Sequence, residues 1–351
     1  QYNHTFAKKH IVNLFGGMET TDISRTRTWF NGWGMQYSQG EVPFYSYQFF
    51  KKSIEENTTY YSLYNTDSRS AAFYGNATYS YNGKYVINGT FRYEGSNQLG
   101  KNSSARWMPT WNVSTAWNVH EEKFFEKLKP LSHLTVRISY SLTGTPPDAS
   151  YASSSTILKS ATPYRPFASN KETAIGIYSY GNSDLTYEKK NEFNAGVDLG
   201  LWNDRLNVTF DVYQRRNFDE LVPYITPLKG TVFANVGKMK SWGEELSISS
   251  TNIKKKDFSW QTNFVYSHSK TEITNLYNQG TVMDMVSGTG FAMQGYPVRA
   301  LFSIPFEGLD ENGHPLIMNE KGEITSYDID FQERNNTGYL KYEGPTDPVY
   351  T

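Results

Sequence analysis

The chain of 351 residues balances 34 Lys+Arg against 35 Asp+Glu and has no cysteine, which argues against non-specific nucleic-acid binding and leaves no disulfide frame, thiolate metal site or cysteine nucleophile. It holds 27 Tyr, 21 Phe and 8 Trp, yet no stretch approaches the roughly 18 consecutive apolar residues of a membrane helix. A mean hydropathy of -0.62 suits a soluble protein and equally a transmembrane barrel, where half of each strand faces water.

Gln1 is not an initiator residue and no signal peptide precedes it, so the sequence is expected to begin inside a longer polypeptide. Thr5 to Thr21 reads as a strand. Residues 27–65 read as a long loop, rich in aromatics but without a period; Trp29, Trp33, Tyr45 and Tyr47 within it are candidate ligand contacts, able to stack on sugar rings. Packing between neighbouring loops is the favoured role for these four.

Regular alternation begins at Ala71–Tyr81 and continues in Tyr85–Gly95. A two-residue Asn82-Gly83 turn would set the two apolar rows on opposite faces. A three-residue turn, Asn82–Lys84, is therefore predicted, with Tyr81 facing Tyr85 and Phe73 facing Tyr93. Trp107–Val119 alternates again, and Glu121–Lys129 (EEKFFEKLK) reads as a short amphipathic helix ahead of Pro130. Leu134–Leu142 is a strand; residues 143–184, rich in Ser, Pro, Tyr and Gly, read as a loop.

The clearest pattern is Leu185–Leu221. Phe193, Ala195, Val197, Leu199 and Leu201 fall on every second position, and so do Leu206, Val208, Phe210 and Val212. A turn at Asn203-Asp204, residues that tolerate positive φ, places Leu201 opposite Leu206, Leu199 opposite Val208, Val197 opposite Phe210 and Ala195 opposite Val212. Both apolar rows then share one face, which a slip of one residue would destroy. After a loop at 222–233, Asn235–Asn252 and Phe258–His268 form a further pair around Ile253–Asp257. GLDENGHP (Gly308–Pro315) is a turn, and about the last forty residues carry no clear pattern.

The connections sort by length. Asn82–Lys84, Asn203–Asp204, Ile253–Asp257 and the helical link fall at one end of the strands, while the long loops at about 27–65, 96–106, 143–184 and 222–233 fall at the other, as in outer-membrane barrels. Catalytic and metal-binding signatures are missing: the six His show no H-E-x-x-H spacing, and there is no P-loop, G-x-G-x-x-G or G-x-S-x-G. Asp310–Gly313 lacks the remaining ligands of a calcium loop. The Asp219-Glu220 and Glu244-Glu245 pairs point to opposite faces if they lie on strands. Sequons at Asn76, Asn88, Asn112 and Asn207 fit the polar face of strands, so glycosylation is not expected. Neither an enzyme nor a cofactor is expected.

RYEGSNQLG (Arg92–Gly100) followed by SARWMPTWNVSTAWNVHEEKFF (Ser104–Phe125) resembles the signature of SusC/RagA-type TonB-dependent outer-membrane transporters. LTVRISYSLTGT (Leu134–Thr145), NSDLTYEKKNEFNAGVDLGLWNDRLNVTFDVYQ (Asn182–Gln214), NVGKMKSWGEELSI (Asn235–Ile248) and GLDENGHP continue the resemblance in order. Glu94, Gln98 and Tyr187 depart from it, standing where that family prefers Asp, Arg and Trp. The resemblance implies an all-β fold, part of a transmembrane antiparallel barrel that is 22-stranded in that family and plugged. It implies active import across a Gram-negative outer membrane, most simply of a glycan, with a peptide as the alternative. It also implies a SusD-like lipoprotein partner, and contact with TonB through a segment that, like the plug, lies outside this sequence. About eight strands cannot close such a barrel, and an open edge in lipid leaves backbone groups unpaired; residues 1–351 are thus expected to be a segment of the barrel domain. Val197, Leu199, Leu201, Leu206, Val208 and Phe210 are expected to face lipid, and Asn207, Thr209 and Asp211 the lumen. The rival expectation is a soluble β-sandwich carbohydrate-binding module, with the apolar rows in a closed core; a passive porin is a further alternative.

Overall fold

The computed structural model describes residues 1–31, 35–36, 38, 40, 42–43, 47–56, 58, 61–100, 102–147, 154–161, 174–226, 230–277, 282–286, 288–303, 306–318, 323–326 and 349–350. Ten strands form one antiparallel sheet in sequence order. They are β1 (Tyr2–Phe6), β2 (His10–Phe30), β3 (Tyr61–Tyr81), β4 (Tyr85–Ser96), β5 (Trp107–Asn118), β6 (Leu131–Thr145), β7 (Glu188–Leu201), β8 (Leu206–Thr226), β9 (Gly230–Lys254) and β10 (Ser259–Asn275). The sheet is open, with β1 and β10 at its edges.

Side-chain alternation and register give this sheet two unlike faces. One row of directly paired residues crosses it from Tyr2 through Leu14, Ala77, Gly89, Val113, Tyr140, Phe193, Gln214 and Trp242 to Lys270. That row starts close to the short turns on β2 and ends far above them on β10, the stagger that tilted barrel strands require. Its face is apolar over nearly the whole sheet and carries exposed Phe73, Tyr79, Ile87, Phe91, Val113, Ile138, Phe193, Phe210 and Phe264. Among the described residues, each strand packs chiefly against its in-sheet neighbours, and no second layer covers the apolar side. Aromatics mark both of its margins: Tyr81, Tyr85 and Trp117 near the short turns, and Phe73, Tyr93, Tyr140, Phe193 and Trp242 at the other. The Tyr85–Tyr93 interval is about 26 Å of strand.

The hairpin registers follow the alternation. Leu201 pairs with Leu206, Leu199 with Val208, Val197 with Phe210 and Ala195 with Val212; the turn between them carries three successive left-handed residues, Trp202, Asn203 and Asp204. Tyr81 pairs with Tyr85 and Phe73 with Tyr93, with Asn82 at φ 54° and Gly83 at φ 72° inside the turn.

Other readings change. Thr5–Thr21 is two strands, because Ala7 and Lys8 adopt left-handed φ of 48° and 58° and turn the chain between Phe6 and His10. Glu121–Lys129 is no continuous helix; it breaks into 3-10 turns at Val119–Glu121 and Phe125–Lys127. Between them Glu122 is extended (φ -83°, ψ 141°), held by Lys84 Nζ and the Tyr85 hydroxyl, each 2.7 Å from its carboxylate. Two charge-assisted bonds thus outweigh the weak intrinsic helicity of a nine-residue stretch.

The loops at the long-connection rim begin later than the alternation suggests. β2 and β3 remain paired out to Phe30 and Tyr61, and residues 47–55 of the connecting segment are helical. Residues 222–233 are mostly ladder: β8 and β9 pair from Val222–Ala234 to Thr226–Gly230, so the described part of this connection is a tall ribbon. In 143–184, β6 reaches Thr145, and Ile157–Ala161 pairs with Ala174–Ser179 as a separate hairpin. In 96–106, residues 103–106 are helical. The period of two is erased in the longest of these extensions for opposite reasons: Ser24–Thr28 is polar on both faces, while Val222–Ile225 and Val232–Ala234 are apolar on both.

Candidate functional site

The polar face holds its charges in networks. Arg137 on β6 donates from Nε to Asp198 Oδ2 at 2.6 Å, and from Nη2 to Asp198 Oδ1 and Asp211 Oδ2, both at 3.2 Å. Asp198 also accepts from Thr209 Oγ1 at 3.0 Å. Arg137, Gly196 and Asp211 are successive partners across β6, β7 and β8, so the guanidinium reaches Asp211 by crossing a residue with no side chain. A Cβ at Gly196 would collide with the Asp211 carboxylate and stand 2.9 Å from Arg137 Nη2. Beside this network a hollow of about 270 Å³ is floored by small polar-face side chains, among them Asn88, Ser114, Ser139 and Asn194.

Nearer the long-connection rim, Arg92 bridges Glu94 at 2.6 Å and Glu19 at 2.9 Å, with its guanidinium 5.9 Å from the Tyr74 ring centroid. Arg215 pairs with Glu192 at 3.1 Å and covers the Tyr213 ring at 4.0 Å. These bridges fix Arg and carboxylate groups that a mobile surface pair would leave free. The face as a whole offers oriented charges, amides and hydroxyls to a polar surface. Sequence reasoning missed these networks; for Arg137 and Asp211 the available signal was a charged residue at a polar-face position opposite a strand glycine, Gly196.

A second organised region ties three distant segments at the rim. Leu99, Met108 and Tyr187 form a buried cluster with Leu142 against it, and Leu99 and Leu185 are wholly buried. Gly100 N donates to Leu185 O at 2.8 Å; a side chain at residue 100 would clash with the Ser183 carbonyl. Thr186 donates its hydroxyl to Ala105 O at 3.1 Å, and Asn102 donates to Asp184 at 3.1 Å. Asn235 Oδ1 accepts from Thr186 N at 3.0 Å while its Nδ2 donates to Thr186 O and Asp219 O at 3.0 and 2.8 Å. Burial pushes the Tyr187 phenol above its ordinary range, and its hydroxyl donates to Glu94 O at 3.4 Å. Two of the three departures from the family signature, Glu94 and Tyr187, therefore meet here.

Of the candidate ligand contacts, Trp33 and Tyr45 lie outside the described residues. Trp29 is exposed, one position from the end of β2 and paired with Ser62. Its parity places it on the polar face, where Tyr64, opposite Arg27, is its diagonal neighbour. Tyr47 is exposed at the start of the helical segment 47–55; no ring contact joins it to Trp29. The six apolar hairpin residues Val197, Leu199, Leu201, Leu206, Val208 and Phe210 share one face, opposite Asn207, Thr209 and Asp211.

A family model described as TonB dependent receptor-like, beta-barrel, matches residues 2–306. The chain belongs to that family. TonB-dependent receptor P39 of Formosa agariphila is 28% identical over 313 residues, covering 84% of this chain and 26% of the relative. TonB-dependent receptor SusC of Bacteroides thetaiotaomicron is 28% identical over 222 residues, covering 61% of this chain and 22% of the relative. The chain thus spans about a quarter of the length of these curated relatives. Among solved structures, the RagAB peptide importer in its open-open state superposes with a TM-score of 0.73 at 20% identity, covering 94% of this chain and 35% of that one. The closed-closed state gives 0.71 at 21% identity, covering 100% and 36%. The resemblance to SusC/RagA-type transporters is borne out at the level of the family, and the sheet has the fold of a part of such a barrel.

Proposed function

We propose that this sheet is a wall of an outer-membrane barrel in a Gram-negative cell, with its apolar face toward lipid and its polar face toward a plugged lumen. One observation carries this reading: a ten-stranded sheet has a broad apolar face, interrupted on its last two strands by Glu244 and His268 and bounded by aromatics at both margins, that no described element covers. A soluble sandwich would bury those rows under a second sheet; a barrel leaves them to the bilayer. Val197, Leu199, Leu201, Leu206, Val208 and Phe210 then face lipid, the tall β2–β3 and β8–β9 ribbons rise outside the cell, and the short turns lie in the periplasm.

In this reading the polypeptide imports a nutrient with energy from TonB, through a segment outside this sequence, and works with a SusD-like lipoprotein seated on the long-connection rim. A glycan is the ligand class we favour, supported by exposed Trp29, Tyr47 and Tyr64 at that rim, since aromatic faces stack on sugar C–H surface. A peptide is the second reading, supported by the fold shared with the RagAB peptide importer. The test is uptake by cells carrying the full-length gene and its neighbouring lipoprotein gene, with and without TonB, supplied with labelled oligosaccharides and peptides. TonB-dependent uptake of oligosaccharide alone is expected; uptake of peptide alone selects the second reading. Growth and uptake unaffected by loss of TonB sinks active import, and recovery of the polypeptide in the soluble fraction sinks the barrel.

A further inference from the structure

We infer that the outward side of β8–β10, directly above the apolar belt, binds the phosphate-bearing headgroup of an outer-leaflet lipid. The inference rests on the membrane orientation proposed above. Arg216, Lys240 and Lys270 lie on the same face as the apolar rows, one step beyond Gln214 and Trp242 or level with them. Arg216 is directly opposite Lys240, and Lys270 is directly opposite Trp242, one diagonal step from Lys240. Lys238, opposite Phe218, extends the patch upward. All four cations are exposed, as is Trp242 at 47%.

Like charges directly opposite each other destabilise a sheet, so the Arg216–Lys240 pairing calls for an anion. The neighbouring carboxylates answer only in part. Glu272 takes Lys240 at 3.1 Å, and Asp219 is held by Lys189 at 2.8 Å. Glu244 lies lower, opposite His268. Among the described residues, Arg216, Lys238 and Lys270 have no ion-pair partner. The concentration is local: the outward cation above the belt on β3, Arg69, already pairs with Asp22 at 3.1 Å.

The position selects the ligand. A diffusing anion could meet cations anywhere on the surface, but these sit where headgroups lie, above a Trp at the belt margin. A guanidinium and two ammonium groups within neighbouring strands, about 5 Å apart, match a phosphate held by several charge-assisted bonds. The proposed occupant is therefore a phosphorylated lipid, its acyl chains lying along the apolar rows below.

The test uses the full-length polypeptide purified from its outer membrane in mild detergent, with retained lipid counted by native mass spectrometry. Arg216→Gln/Lys240→Gln/Lys270→Gln should lower retained phosphorylated lipid at least tenfold. The same neutralisation at the opposite rim, Lys254→Gln/Lys255→Gln/Lys256→Gln, should leave it unchanged. Rebinding should occur from vesicles of phosphorylated lipid and fail from vesicles of the dephosphorylated form. Equal retention by the triple variant overturns the inference, and so does displacement by millimolar inorganic phosphate, which would make this a free-anion site. If the triple variant does not fold, Lys270→Gln should lose part of the lipid and Lys270→Arg restore it; no difference between those two also overturns the inference. Failure of the wild-type polypeptide to fractionate with the outer membrane would instead fault the membrane reading itself.

Discussion

The Asn235 side chain pairs with the backbone of Thr186 as a strand would, accepting its N–H at 3.0 Å and donating to its C=O at 3.0 Å. The two residues lie on different hairpins. The amide thus closes a ladder gap where the chain enters β7, and its third bond, to Asp219 O, pins the left-handed residue at φ 57° where the β8–β9 register shifts. Asn235→Ala removes all three bonds and leaves half-buried backbone groups unpaired, at about 1–3 kcal/mol each where water cannot replace them. Hydrogen exchange at Thr186 and Leu221 should accelerate at least tenfold, while exchange at Leu199 and Val208, near the short turns, stays unchanged. Equal protection at Thr186 in the variant would show that the rim does not depend on this amide.

Glycines on the two faces should differ in what they tolerate. Gly196 lies under Arg137 and Asp211, and Gly243 under the Tyr213 hydroxyl, which a Cβ there would crowd. Gly89, on the apolar face, has open space for 4 Å around the place a Cβ would take. Gly196→Val should break the Arg137–Asp211 bridge and cost about 1–3 kcal/mol by forcing charged groups apart. Gly89→Ala should be neutral within about 0.5 kcal/mol. The folded fraction of the full-length polypeptide, read by heat-modifiable gel mobility across a urea series, separates the two cases.

The parts of this fold that were readable from sequence are those where one face is greasy and the other wet. The sum of paired positions in the β7–β8 and β3–β4 hairpins came from alternation together with Asn and Gly positions at the turns. The same logic failed above the belt: Arg25, Arg27 and Trp29 alternate with Ser24, Thr26 and Thr28, a pattern with no apolar row to count. It failed at Glu122 because the helix there is broken by Lys84 and Tyr85, which are distant in sequence. The rim site was equally hidden, since Leu99 and Leu185, or Ala105 and Thr186, meet only through the folded sheet. The family motifs mark these positions, Gly100 and Asn235 among them, without stating that backbone clearance and amide pairing are what they supply.

The Gly308–Pro315 turn offers a pH-dependent element. Asp310 accepts from Asn312 N at 2.9 Å, His314 N at 2.8 Å, His314 Nδ1 at 3.0 Å and Ser326 Oγ at 3.0 Å. The backbone N–H of His314, then its side chain and Ser326, hold the carboxyl at about 2, below the ordinary Asp value of about 3.9. A carboxyl whose folded pKa is depressed contributes stability that is complete above its unfolded pKa and lost as pH falls through the folded one. The turn should thus be intact at pH 5 and loosen between about pH 4 and 2, tracked by a carboxyl-carbon NMR titration of Asp310. Asp310→Asn should remove this pH response; a midpoint near 4 in the wild type would show that the bonds do not form.

The orientation of the whole sheet can be tested at the hairpin with the clearest alternation. Leu199 and Val208 are direct partners on the apolar face, one pair above Leu201 and Leu206 and nearer the Trp202–Arg205 turn than the Phe193 level. Asn207, one residue from Val208, belongs to the polar face. In a bilayer, Arg on the lipid-facing side costs about 2–4 kcal/mol at the midplane and less toward either interface, because the guanidinium must leave water, whereas a lumen-facing Arg stays hydrated. Val208→Arg, between the interface and the midplane, should therefore lower the stability of the full-length polypeptide in lipid vesicles by about 1–3 kcal/mol in a urea titration. Asn207→Arg should change it by less than about 1 kcal/mol. The contrast depends on lipid contact more than on packing, since Val208 is only half-buried by the protein itself; in detergent micelles, which deform around a charge, the gap between the variants should narrow. If both variants lose the same stability, or Asn207→Arg loses more, the apolar face does not meet the bilayer and the sheet must be turned the other way.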